Sequence, residues 1–106
     1  MTKATNETVV YPVTVVDLSN EDKPFDCHTP AIFTDFVDAV SCVKENDSDL
    51  SEGGTNRYVV IEKTNLNQMY PTAKEQTWFE WNESQQEYVE ITTPPRFSRV
   101  CGFAIG

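Results

Sequence analysis

Residues 29–44, TPAIFTDFVDAVSCVK, decide how the rest of the chain is read. Thr is a good N-cap and Pro suits the first helical position, so Thr29-Pro30 predicts a helix start. Ile32, Phe33, Phe36, Val37, Val40 and Val43 then recur at offsets of 1, 4, 5, 8 and 11. That spacing makes one apolar stripe of an α-helix. Asp35 and Asp38 fall off the stripe. Lys44 stands in the expected last turn, where a cation suits the helix dipole.

No second stretch has this period. Upstream, residues 8–18 (TVVYPVTVVDL) are rich in β-branched side chains and read as a strand. Pro12 cannot donate to a ladder, so this strand is expected at an edge or with a bulge. Residues 19–28 read as a polar loop, and residues 1–7 as a frayed terminus. Downstream, residues 45–56 (ENDSDLSEGGTN) form an acidic loop, and 57–62 (RYVVIE) a strand. Residues 63–75 read as an irregular connection, with Pro71 forcing an extended or turning step. Residues 77–81 (TWFEW) and 87–91 (EYVEI) flank NESQQ as a hairpin with a five-residue loop. Pro94-Pro95 ends it, and 97–105 (FSRVCGFAI) is a final strand.

The expected order is β-α-β-β-β-β. One helix is too few for a doubly wound parallel fold. The composition therefore predicts an α+β domain, with a mostly antiparallel sheet of about four or five strands and one amphipathic helix packed on one face. A chain of 106 residues is long enough for one domain with one modest core.

Strand alternation assigns the hairpin's faces. Phe79, Trp81, Val89 and Ile91 fall inside. Trp78 and Tyr88 then fall outside, among Glu80 and Glu90. An exposed aromatic pair beside carboxylates would suit Lys or Arg of a partner, by cation–π contact and ion pairing. The plainer alternative is a stabilising cross-strand pair.

Charge is the second signal. There are 17 acidic residues against 8 basic ones, a net charge of −9. Residues 1–53 hold 11 acids and 3 bases, and residues 54–106 hold 6 and 5. This balance argues against direct binding to nucleic acid or anionic membrane, which need Lys and Arg. It favours a basic partner. The excess lies on the helix (Asp35, Asp38) and its following loop (Glu45, Asp47, Asp49, Glu52), with Asp17, Glu21, Asp22 and Asp26 before it. Asp35 and Asp38 would lie about 4.5 Å apart along a helix axis, near the ~3.4 Å advance of phosphates along one DNA strand. An array of this kind could imitate a phosphate backbone.

Motifs for chemistry are weak. His28 is the only histidine and follows Cys27 directly. Adjacent residues in an extended segment point apart, which argues against a nucleophile–base pair. Cys27, His28, Cys42 and Cys101 make a poor zinc set for the same reason. The loop beginning at Asp47 fails the EF-hand pattern, because Glu52 stands where Gly is needed and Tyr58 where Glu is needed. No glycine-rich phosphate loop occurs. No cofactor is expected. The odd cysteine count, with no apolar leader at the N-terminus and no apolar run near 20 residues, fits a reduced cytoplasmic protein.

These observations lead to one expectation and two alternatives. The expectation is a non-enzymatic acidic protein that inhibits or masks a basic, nucleic-acid-binding partner such as a nuclease. Phage anti-restriction and anti-CRISPR proteins, antitoxins and immunity proteins share this logic of size and charge. Candidate partner-binding residues are Asp35, Asp38, Glu45, Asp47, Asp49, Glu52, Trp78, Glu80, Tyr88 and Glu90. The alternatives are an assembly subunit that self-associates through sheet edges, and a small enzyme.

Overall fold

In a computed structural model, residues 9–17, 26–65 and 73–94 are described. They form five strands and one helix: β1 (Val9–Asp17), β2 (Asp26–Phe33), α1 (Phe36–Lys44), β3 (Tyr58–Asn65), β4 (Ala73–Asn82) and β5 (Glu87–Ile91). The strands make one antiparallel sheet in the order β2-β1-β3-β4-β5. The fold is α+β, with a single helix packed against the sheet, in the order β-β-α-β-β-β. The expected frayed terminus, the 97–105 strand and Cys101 lie outside the described residues.

The stretch 29–44 is not one helix. Its first five residues finish β2, and the helix starts only at Phe36. The reason lies in a bulge. Val13 pairs with Ala31 and Val15 with His28, so Thr29 and Pro30 together oppose Thr14. Pro30 has no N–H, and β2 is an outer strand of the described sheet, where a bulge tolerates a proline. The Thr29 hydroxyl meets the Thr14 hydroxyl at 2.9 Å across the bulge. The Thr-Pro pair that resembles a helix start is therefore a strand irregularity. Asp35 is the true N-cap: its Oδ1 accepts from the Val37 N–H at 2.8 Å.

The shift rotates the buried stripe. Ala39 and Val43 are buried and Val40 packs beside them. Phe36 is 39% exposed and Val37 67% exposed, so Val37 does not belong to the core face. The 29–44 stripe merged two periods, one from the end of a strand and one from a helix.

Pro12 sits in β1, which is central rather than an edge. Pairing with β3 runs from Val9–Asn65 through Val10–Thr64 and resumes at Val13–Ile61 in the same register. Tyr11 and Pro12 fall in the gap, as a residue without an N–H requires. Both ends of the 63–75 stretch, expected to be irregular, are strand: β3 continues through Asn65, and β4 begins at Ala73. Residues 66–72 lie outside the described residues.

β2 and β3 are both antiparallel to β1 and hence parallel to each other, so α1 crosses over β1 to join them. The helix side of the sheet holds the main core: Val13, Val15, Ala39, Val43, Leu50, Val59, Ile61, Phe79 and Tyr88. The opposite face buries Val16, Val60 and Trp78, with Tyr58 edge-on to Trp78 at 6.3 Å between ring centroids. Thr14, Glu62 and Thr64 on that same face are also buried. A sheet buried on both faces carries more apolar residues per strand than simple alternation suggests.

Candidate functional site

The faces of the hairpin differ from expectation. Asn82 pairs with Glu87, leaving a four-residue loop, 83–86. A one-residue change in loop length flips every side chain of the returning strand. Trp78 pairs with Ile91 and Trp81 with Tyr88. Phe79 and Trp81 face the helix as expected, but Tyr88 joins them, and Ile91 goes to the other face with Trp78. Trp78 is 1% exposed and Tyr88 0%. They lie on opposite faces of the sheet and form no exposed aromatic pair. Tyr88 stacks edge-on against Trp81 at 5.1 Å instead. Glu80 pairs with Arg57 at 2.8 Å. Of the four hairpin candidates only Glu90 is exposed.

The helix and its following loop fare differently. Asp35, Asp38, Glu45, Asp47, Asp49 and Glu52 are all exposed. Ion pairs among the described residues are Lys44–Glu87, Arg57–Glu80 and Lys63–Glu75. None uses a carboxylate of the helix or loop. Lys44, the one base in residues 35–56, makes its ion pair with Glu87 and not with a loop carboxylate. Its Nζ donates to the Tyr88 carbonyl at 2.8 Å and reaches Glu87 at 3.4 Å. Helix length, about 13 Å at 1.5 Å per residue, separates the Asp35–Asp38 end from the loop end. Asp35 also has a local task as the cap, and Asp38 in the first turn opposes the helix dipole favourably.

The loop is held in place by its own polar groups. Asn46, Ser48, Asp49 and Glu52 all take positive φ, as do Gly53 and Gly54. Asn46 Oδ1 accepts from the Ser51 N–H at 2.8 Å, and Asp49 Oδ1 from the Gly53 N–H at 3.3 Å. Asn56 is buried and donates from Nδ2 to the Leu50 carbonyl and to Glu52 Oε2. The Tyr88 hydroxyl donates to the Asn56 carbonyl at 2.6 Å. Leu50 inserts into the main core. A loop that reads as solvated in sequence is thus anchored at three buried points: Leu50, Asn56 and Tyr88. Burial, reinforced by the negative charges of Asp49 and Glu52, pushes the Tyr88 phenol pKa well above its ordinary value.

Between β2 and this loop runs a groove of about 270 Å³, lined by Val15, His28, Pro30, Asp47, Ser48, Asp49, Leu50, Glu52 and Asn56. It brings together His28 and three of the loop carboxylates. His28 lies 19 or more positions from these carboxylates in the chain, and is expected from the sequence in a loop before a helix and not on a strand beside the acids. A second cleft, of about 240 Å³, lies on the same side of the sheet, lined by Tyr11, Phe36, Ile61, Lys63, Glu75 and Thr77.

Cys27 and His28 pair with Val16 and Val15, so consecutive side chains of the strand face opposite ways. Cys27 is exposed, whereas Cys42 is partly buried, and burial followed by the charges of Asp47 and Glu45 raises the Cys42 thiol pKa. A raised pKa leaves less thiolate at neutral pH and a less reactive sulfur. Among the described residues no three His, Cys, Asp or Glu side chains gather as a metal site. On the face away from the helix, buried Glu62 accepts from Gln76 Nε2 at 2.9 Å, and Gln76 Oε1 accepts from the Trp78 indole at 3.3 Å. Nothing in the RYVVIE stretch marks Glu62 as buried. Among the described residues, no helix is long and apolar enough to cross a membrane. Comparison of the chain with protein-family models, curated proteins and solved structures found no match.

Proposed function

We propose that this protein is a non-enzymatic inhibitor that masks a basic surface of another protein, one that itself binds nucleic acid. One observation carries the reading. Six exposed carboxylates, at the N-cap of α1, on α1 and in residues 45–56, have no ionic partner among the described residues, while on β4 and β5 Glu75, Glu80 and Glu87 have one and Glu90 does not. Unneutralised like charges held on a rigid segment repel one another and lower stability. A basic partner relieves that repulsion and is steered by the field toward contact. Phe36 and Val37, exposed between Asp35 and Asp38, add apolar area to the same end of the helix. An apolar centre rimmed by charge is the usual anatomy of a protein interface. The odd cysteine count fits a reducing compartment, so we place the encounter in the cytoplasm.

The alternative of self-association through sheet edges rests on residues 97–105, which lie outside the described residues. The outer strands of the described sheet offer it little: β2 carries a bulge and Pro30, and β5 has five residues, two of them Glu. Short, bulged and charged edges resist pairing with another chain.

The test is capture of binding proteins by the wild type and by two charge variants. One variant is Asp35→Asn/Asp38→Asn/Asp47→Asn/Asp49→Asn. The other is Glu75→Gln/Glu80→Gln/Glu87→Gln/Glu90→Gln, which removes equal charge from β4 and β5. The expected partner is lost with the first variant, kept with the second and displaced by added duplex DNA. Its association rate falls steeply between low and physiological salt. Equal capture by both variants, or an association rate that ignores salt, refutes the reading.

A further inference from the structure

We propose that the groove between β2 and residues 45–56 receives an arginine side chain from an extended basic segment of the partner. This inference rests on the binding role proposed above and names the point of contact. The groove has an apolar wall of Val15, Pro30 and Leu50, and carboxylates at Asp47, Asp49 and Glu52. That is the two-part chemistry of a long cationic side chain, with a methylene stem against apolar surface and a charged head at the acids. At about 270 Å³ the groove falls below the roughly 300–1,000 Å³ of small-molecule pockets, which suits a single side chain.

Charge complementarity selects a cation. The groove's three carboxylates carry no ion pair among the described residues, and Lys44 is engaged by Glu87 and the Tyr88 carbonyl. Geometry favours arginine over lysine. Carboxylates that line one groove without gathering tightly enough for a metal ion suit a guanidinium, whose five N–H donors spread over a planar fork, better than the compact ammonium of lysine. The site is also rigid. Leu50 is buried in the core, and Asn56 ties Leu50, Glu52 and Tyr88 together. A rigid acceptor loses little entropy on binding.

The test uses the whole protein, isotope-labelled, titrated with capped Gly-Gly-Arg-Gly-Gly peptide and followed by amide chemical shifts. Lysine and citrulline versions of the peptide serve as comparisons. Saturable shifts are expected at His28, Leu50, Ser51 and Asn56, stronger for arginine than for lysine and absent for the uncharged citrulline. His28→Lys, which places a fixed cation in the groove, and Glu52→Gln, which keeps the acceptor to Asn56, should each weaken binding about tenfold, the loss expected for one charged contact. Shifts confined to the Asp35–Asp38 end, shifts that do not saturate, or unchanged affinity in both variants overturn the assignment. The two proposals fail separately. A partner lost with Asp35→Asn/Asp38→Asn but not with His28→Lys removes the groove and leaves the acidic surface. A specific arginine site with no captured partner does the reverse.

Discussion

The Tyr88 hydroxyl donates a 2.6 Å hydrogen bond to the main-chain carbonyl of Asn56, 32 residues earlier in the chain. This bond fastens the acidic loop to the last strand of the hairpin. Tyr88 is wholly buried, Asn56 nearly so, and the Asn56 side chain holds Leu50 and Glu52. The position of the loop carboxylates therefore depends on a tyrosine that the sequence would place on the surface. Tyr88→Phe keeps the ring packing and leaves a buried carbonyl short of its donor. The expected cost is about 1–3 kcal/mol, read as a lower midpoint in urea unfolding. Amide shifts of residues 50–56 should move more than those of α1.

The same phenol sets an alkaline limit. Its pKa is raised in the folded protein by burial and by Asp49 and Glu52, while an unfolded tyrosine titrates near ~10. Below that value both states keep the proton and stability does not depend on it. Above it the unfolded chain loses the proton and the folded one retains it, so stability falls by up to about 1.4 kcal/mol per pH unit until the folded pKa is reached. Unfolding midpoints measured from pH 9 to 11 should decline for the wild type and decline less for Tyr88→Phe. Equal slopes would remove Tyr88 as the cause.

Gly54 has φ +94°, and a Cβ built there meets Glu83 Oε2 at 3.1 Å and Trp81 Nε1 at 3.2 Å. Those two atoms form the Trp81–Glu83 hydrogen bond. Gly54→Ala must bear both a left-handed backbone, about 1–2 kcal/mol for an L-residue, and a crowded indole. Gly53, with φ +70°, has open space where its Cβ would lie, so Gly53→Ala bears the backbone strain alone. Thermal unfolding should rank Gly54→Ala below Gly53→Ala, and only the former should alter tryptophan fluorescence.

Asp35 is both the helix cap and a proposed contact, and two substitutions separate the roles. Asp35→Ala removes the acceptor for the Val37 N–H and should cost about 1 kcal/mol. Asp35→Asn caps about as well and removes only the charge. Stability should therefore fall for alanine and hold for asparagine, while partner association should slow for both.

The hairpin register and the helix phase can be checked together. Trp78→Ala opens a hole in the face away from the helix and should cost about 3–5 kcal/mol. Val37→Ser acts on a side chain that is 67% exposed and should change stability by about 0.5 kcal/mol or less. Sequence alternation alone predicts the opposite ranking, with Trp78 outside and Val37 inside, so chemical denaturation of the two variants distinguishes them.

The sequence by itself determined the class of fold, the β1, β3, β4 and β5 segments, and the acidic character of residues 35–52. Composition and local period carry these, and both are properties of neighbours along the chain. It also identified Phe79 on the core face, because alternation within one strand needs no partner. Three features waited for the tertiary structure. Thr29-Pro30 became a bulge where β2, an outer strand of the described sheet, pairs with β1, and only pairing shows where a missing N–H can be tolerated. Tyr88 went inside because the 83–86 loop sets the phase of β5 against β4, and one residue of loop length reverses a face. His28 met Asp47, Asp49 and Glu52 because the α1 crossover carries the acidic loop back past β2. Contacts across 19 or more residues of sequence leave no local period to read, so the groove exists only in the folded chain.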